Sequence, residues 1–274
     1  MTQKRIDNIP NLKNKELSIQ VSLSGLSFCV LNRFDNAIES VGYFEFENVT
    51  NPEQLLPEIE SLFDNSDLFL NPRKVTVFYV NELSAFVPGS LFSEENMSDY
   101  LKFNVKILEN DYLTHDEIRN GDLVNVYVPY TNINNFFFDL FGEFEFKHYS
   151  TILMETLLNN SPKTEEAVMY VHTEKEHFEI VVLKNRKLLF YNSFQYETKE
   201  DFLYYILFTA EQLDMNPENF ELRFLGNIKE GDPCYDIAYN YVRNVSVDSS
   251  FASYDLPEEN TVGDHSLFLL QNSF

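Results

Sequence analysis

Between Leu17 and Ser24 apolar residues alternate with polar ones, at positions 17, 19, 21 and 23. Successive side chains of a strand point to opposite faces, so this period of two predicts a half-buried strand. Gly25 interrupts it, and Leu26–Asn32 predicts a second strand. The polar RFDN at 33–36 makes a turn, and Ala37–Glu47 predicts a third strand. Asn51 and Pro52 then supply an N-cap and a first-turn proline. Beyond them Leu55, Leu56, Ile59, Leu62 and Phe63 fall on one helical face. Asn71-Pro72 resets the chain, and Val75–Val80 predicts a fourth strand.

The same order returns in the second half. Ala167–His172, Phe178–Lys184 and Lys187–Phe194 predict three strands, joined by the turns TEKEH and NR. Thr198 and Asp201 have the spacing of a capping box, and Phe202, Tyr205, Ile206, Thr209 and Leu213 form a helical stripe. Phe220–Leu225 predicts a strand ending at Gly226, and Asp232-Pro233 opens a helix with Cys234, Ile237, Ala238, Tyr241 and Val242 inward. Corresponding elements are offset by about 150 residues, which argues for two duplicated α/β modules. Short turns make the three leading strands antiparallel, and the helical crossover makes the fourth parallel.

Between the modules, Ser98–Phe103 predicts a short helix, and Asn104–Glu109 and Leu123–Val128 predict strands around an acidic loop. Asn134–Phe141 and Thr151–Leu158 predict helices. The expected organisation is a polar tail (1–16), a first lobe (17–164) with a small subdomain inserted around 104–130, and a second lobe (165–274). With no Pro/Gly/Ser linker between them, the lobes are expected to pack across a cleft. The apolar Leu267–Leu270 is expected to dock on the body.

Charge narrows the partners. The chain has 44 acidic and 20 basic residues, a net charge of −24. Such a surface repels phosphate backbones and anionic lipid, which leaves a basic protein partner, not nucleic acid, as the expectation. Cys29 and Cys234 sit in apolar surroundings without a CxxC, as buried free thiols of a reducing cytosol do. The polar N-terminal MTQKRIDNIPNLKNKE has no signal-like apolar run, and no segment reaches the roughly 18–20 apolar residues of a membrane span. A soluble cytoplasmic protein without direct membrane insertion is expected.

Three strands, helix, strand, helix, present twice, resembles the actin-like ATPase fold with its paired ribonuclease-H-like modules. The segments NINNFFFDLFGEFEFKHYSTILMETLL and ENFELRFLGNI are similar to elements of actin-like pilus-assembly accessory proteins. The chain as a whole, with LFSEENMSDYLKFN and the FG…KHYSTILMETL segment, resembles a Bacteroidetes-type bacterial family with a degenerate actin-like fold. The resemblance implies a mixed sheet in each lobe, three antiparallel leading strands followed by parallel ones. It also implies where nucleotide would sit: at the turn after the first strand of each lobe, and at a glycine after a later strand. Here those positions hold Ser24 and Gly25, Thr173 and Glu174, and Gly226. Active relatives carry a D-x-G-type turn whose glycine amides cradle phosphate and whose acid holds magnesium through water. The first turn, Ser22–Gly25, has one glycine and no acid, and His172–Lys175 has no glycine. The resemblance therefore implies a non-catalytic scaffold or protein-binding module with no cofactor, with an ATP/Mg-binding protein with altered loops as the alternative. A homodimer is compatible with either reading.

Other chemistry is thin. Gly226 and Gly231 have P-loop spacing, but Asp232-Pro233 stands where Lys and Ser/Thr belong. Ser90 has no base near it in sequence. His115, Asp116 and Glu117 are acid/base candidates, although Thr114 and Glu117 have capping-box spacing that predicts a turn of helix. His148 and His265 read as ordinary imidazoles. His172, Glu174, Glu176 and His177 look like metal ligands, but a hairpin turn over Thr173–Glu176 divides them and directs His177 away, so no metal is expected.

Overall fold

The computed structural model describes residues 14–64, 72–102, 105–108, 111–175, 177–248, 250–251, 254 and 267–274. The chain forms two compact units. One comprises Met1–Glu155, Ser253–Gly263 and Leu269–Phe274, and the other Thr156–Ala252 and Asp264–Phe268.

In unit 1, β1 (Lys15–Val21), β2 (Gly25–Asn32) and β3 (Ala37–Glu45) form an antiparallel meander. Helix α1 (Pro52–Asp64) then crosses over, and β4 (Lys74–Tyr79) returns parallel to β1. Asn51 Oδ1 accepts from Gln54 N at 3.0 Å, and Gln54 Oε1 accepts from Thr50 N at 3.0 Å, so the start of α1 is set locally. After α3 (Thr131–Phe141), β8 (Glu145–His148) adds a parallel edge, for a sheet order β3-β2-β1-β4-β8. Leu17, Ile19 and Val21 of β1, with Val75, Val77 and Tyr79 of β4, bury one sheet face beneath Leu55 and Ile59 of α1 and Ile133 and Phe137 of α3.

Between β4 and α3 lies a separate antiparallel sheet, β5-β7-β6, of Ser84–Pro88, Leu123–Tyr127 and Thr114–Glu117, with the short helix α2 (Met97–Leu101) against it. Two expectations are corrected here. Thr114–Glu117 is strand β6, not the start of a helix, because it pairs with β7. No strand forms over 105–108, and positions 104 and 109 of that expected strand lie outside the described residues, as does His265.

Unit 2 repeats the first topology. Strands β9 (Val168–Thr173), β10 (His177–Lys184) and β11 (Lys187–Gln195) are antiparallel. Helix α5 (Lys199–Gln212) crosses over, and β12 (Glu221–Gly226) returns parallel to β9. Helix α6 (Pro233–Tyr241) then leads to β13 (Asn244–Val247), for the order β11-β10-β9-β12-β13. The Thr198/Asp201 capping box is formed in both directions, at 3.1 and 3.0 Å. Asp232 is the N-cap of α6 without a side-chain cap hydrogen bond: its Oδ2 accepts from Lys229 N at 2.8 Å, and Pro233 occupies the first turn. Helix α4 (Tyr149–Asn160) carries the chain from one unit into the next, and Leu269 and Leu270 of the C-terminal helix α7 (Phe268–Gln271) are buried. No helix among the described residues is long and apolar enough to cross a membrane.

Gly42 of β3 lies opposite Phe28, and a Cβ there would stand 2.3 Å from the Phe28 ring, which is wholly buried. Gly42→Ala is expected to cost about 1–3 kcal/mol by overpacking, read as a lower urea midpoint with an unchanged slope.

Candidate functional site

Each unit presents a turn between its first two strands, and the two turns are built differently. In unit 1 Val21 pairs with Leu26, so Ser22 to Gly25 close the hairpin. Ser22 N donates to Gly25 O at 3.0 Å, and Gly25 N donates to Ser22 Oγ at 3.1 Å. Ser24 Oγ lies 3.0 Å from Ser22 Oγ. The Gly25 amide is thus satisfied inside the turn. Its lack of a side chain answers a packing need, since a Cβ would meet Phe44 O at 2.6 Å and the Tyr43 ring at 2.8 Å.

In unit 2 Thr173 pairs with Phe178, and Glu174 N donates to His177 O at 3.0 Å. Thr173 O accepts from Asn227 N at 2.7 Å, and a Cβ on Gly226 would come within 2.6 Å of that carbonyl. Gly226 has φ of 83°, a backbone region natural to glycine, and it is needed because the end of β12 presses against Thr173. The fold therefore brings Thr173 and Gly226 together at a strand end of unit 2, with Glu174 next along the turn; Ser24 and Gly25 lie in the first hairpin of unit 1. Gly231 also has positive φ, and the Lys229 N to Asp232 Oδ2 hydrogen bond closes the turn around it.

Beneath this turn lies an ionisable cluster around a buried pair. His172 and Glu179 are cross-strand partners, both fully buried, with His172 Nδ1 2.7 Å from Glu179 Oε2. His177 Nε2 lies 3.3 Å from Glu179 Oε1, and Ser193 Oγ lies 3.4 Å from the same oxygen. The expectation that His177 points away is corrected: His172 and His177 both reach the Glu179 carboxylate. Glu174 Oε1 stands 3.6 Å from His172 Nε2, and neither atom has a hydrogen-bond partner among the described residues. Glu176 lies outside them. No group of three or more His, Cys, Asp or Glu side chains placed to hold a metal occurs among the described residues.

Glu179 was missed by reading the sequence. A lone acid amid the apolar FEIVVL was the available signal, because a buried acid requires a partner on its own side of the sheet.

Burial disfavours the His172 imidazolium, but the Glu179 hydrogen bond and the nearby carboxylates outweigh it and raise the pKa. Burial raises that of Glu174, against the pull of His172 and His177. The cluster is thus equipped to retain a proton, His172 donating through Nδ1–H to Glu179.

The other acid/base candidates are structural parts of unit 1. Asp116 Oδ2 accepts from His148 N at 3.1 Å and Thr151 Oγ1 at 2.6 Å, and Oδ1 accepts from Tyr127 OH at 3.1 Å. Burial raises its pKa against these donors. His148 is buried with Nδ1 2.7 Å from Ser150 Oγ. Burial pushes the Cys29 thiol up to about 12, away from reactivity.

These features belong to an actin-like fold. The chain belongs to the family described as "Protein of unknown function (DUF3822)", whose model matches residues 4–245. A crystal structure from Bacteroides thetaiotaomicron, a protein with actin-like ATPase fold and unknown function, is 22% identical with a TM-score of 0.78. That similarity covers 92% of this chain and 96% of the other. A structure of the PilM-PilN type IV pilus biogenesis complex is 13% identical with a TM-score of 0.55, covering 93% of this chain and 96% of that one. No curated protein matches the sequence. The resemblance read from the element order is thereby shown at the level of fold and family.

The sign of the His172 titration follows from its raised pKa. Its pairing contributes fully below the unfolded imidazole pKa of about 6.5 and is lost as pH rises through the folded value. A raised Glu174 pKa acts in the same direction. The stability advantage of the wild type over Glu179→Gln is expected to be about 1.5–3 kcal/mol near pH 6 and to shrink towards pH 9. Urea unfolding across that range measures it, and a constant difference would contradict this account.

Proposed function

We propose that this chain is a non-catalytic actin-like-fold protein, a cytoplasmic scaffold or protein-binding module. One observation carries the reading: in both first-hairpin turns backbone N–H groups are engaged within the turn itself. Phosphate recognition needs free backbone N–H groups converging on an anion. In unit 1 the Gly25 amide is engaged by Ser22 Oγ. In unit 2 the Glu174 amide is engaged by His177 O, and the mostly buried Glu174 and Glu179 carboxylates lie at and below the turn.

The net charge of −24 favours a basic protein surface as partner over nucleic acid. The PilM-PilN complex is an instance of a protein of this fold bound to another protein. Two free cysteines, one of them buried, suit a reducing compartment.

A thermal-shift titration with Mg-ATP tests the reading and should be flat up to millimolar nucleotide. A ligand at 100 times its Kd stabilises by about 2.7 kcal/mol, so a concentration-dependent rise of several degrees would replace the scaffold reading with the ATP-binding one.

A further inference from the structure

The outer side of unit 2 carries aromatic rings that its own core does not use. Helices α5 and α6 pack side by side on one face of the five-stranded sheet. They bury Phe202, Ile206 and Ala210 from α5, and Tyr235 and Ala238 from α6. Away from that core, Tyr204 and Phe208 of α5 are 59% and 44% exposed. They lie four residues apart with rings stacked at 5.7 Å. On α6, Tyr239 is 60% exposed and stacks on Tyr235 at 6.0 Å. Single exposed rings are common on proteins, but the solvent side of a surface helix normally belongs to polar residues. The Tyr204–Phe208 pair is a preorganised ring surface, and Tyr239 is a further exposed ring whose stacking partner, Tyr235, belongs to the core.

Local charge says what such rings would receive. Glu200 precedes Tyr204 by one turn and Glu211 follows Phe208 by one turn, both exposed on the same stripe of α5. Exposed Asp236 sits one turn before Asn240 on α6, and Lys199 is the single basic residue of the two helices. Aromatic faces attract cations, and flanking carboxylates reinforce the attraction.

We propose that this face docks a basic amphipathic segment of a partner protein. Its Lys or Arg side chains lie over the tyrosine rings and pair with Glu200 and Glu211, while its apolar residues cover Phe208. A second copy of this chain or an anionic membrane would bring like charge against it, and a neutral partner would desolvate the carboxylates without compensation. The proposal rests on the protein-binding reading and adds the place and the chemistry of the partner.

Fluorescence anisotropy on the full chain tests it, using a labelled amphipathic helical peptide of Leu and Lys. The same peptide with Glu for Lys, and a scrambled one without helical period, serve as comparisons. The Leu/Lys peptide is expected to bind best, and Tyr204→Ala with Phe208→Ala to weaken it about tenfold. Glu200→Gln with Glu211→Gln is expected to weaken it and flatten its salt dependence. Phe34→Ala, at a residue 85% exposed in unit 1, is expected to leave it unchanged. All variants alter exposed side chains, and thermal melting verifies that they fold.

Equal binding to the wild type and the aromatic double variant would overturn the proposed face while leaving the protein-binding reading intact. Absence of binding, or equal binding of the Glu peptide, would also overturn the proposal. So would a dimer in sedimentation equilibrium that Tyr204→Ala dissolves, which would assign the face to a second copy. The protein-binding reading itself is decided separately, by the Mg-ATP titration.

Discussion

The pairing of each unit's first strand with the strand that follows its crossover helix is the constraint on which the rest depends. Once β4 lies parallel to β1, and β12 to β9, the first strand becomes the centre of its sheet. All six residues of β9 are buried, so an ionisable side chain there is costly unless it is paired. For His172 the hairpin register supplies Glu179, directly opposite. Removing Glu179 would leave His172 Nδ1 buried without its hydrogen-bond partner, which costs more than the pair contributes over an apolar substitute. The same parallel pairing brings Gly226 alongside Thr173, closing the strand end against the following loop.

The two units answer this constraint with different chemistry. At the position in β1 equivalent to His172 stands Gln20, and its cross-strand partner is Ser27. One unit therefore has a neutral pair where the other has a carboxylate and an imidazole. The turns above them differ likewise, a serine-closed hairpin in one and an acid-bearing hairpin in the other. Topology repeats while the chemistry at the strand ends does not. A functional reading must accordingly come from the turns and surfaces and not from the architecture.

What was legible in the sequence was what local physics decides. The α1 and α5 starts were readable because their caps join residues three positions apart. Apolar alternation located the long hairpin strands for a similar reason. Thr114–Glu117 misled because its spacing suits a capping box, while its pairing with β7 is a contact at a distance. Strands β8 and β13, of four residues each, are too short to show a period and form because a sheet edge is there to receive them. His177 was misplaced because the extent of the hairpin was not known. Pairing Thr173 with Phe178 turns Phe178 into the core and leaves His177 on the side of Glu179, and in a strand one residue decides the face.

The sequence by itself determined the three leading strands, crossover helix and returning strand of each half, the duplicated α/β plan and the acidic character. Each is written in nearest neighbours, periodicity or composition. Only the tertiary structure decided that Glu174 and His177 gather around the buried His172–Glu179 pair, that Gly25 and Gly226 serve close packing, and that α5 leaves a stacked ring pair outside the core. Those outcomes turn on register and on which helix face meets the sheet. Both are settled by contacts between segments far apart in the chain, and no local pattern encodes them.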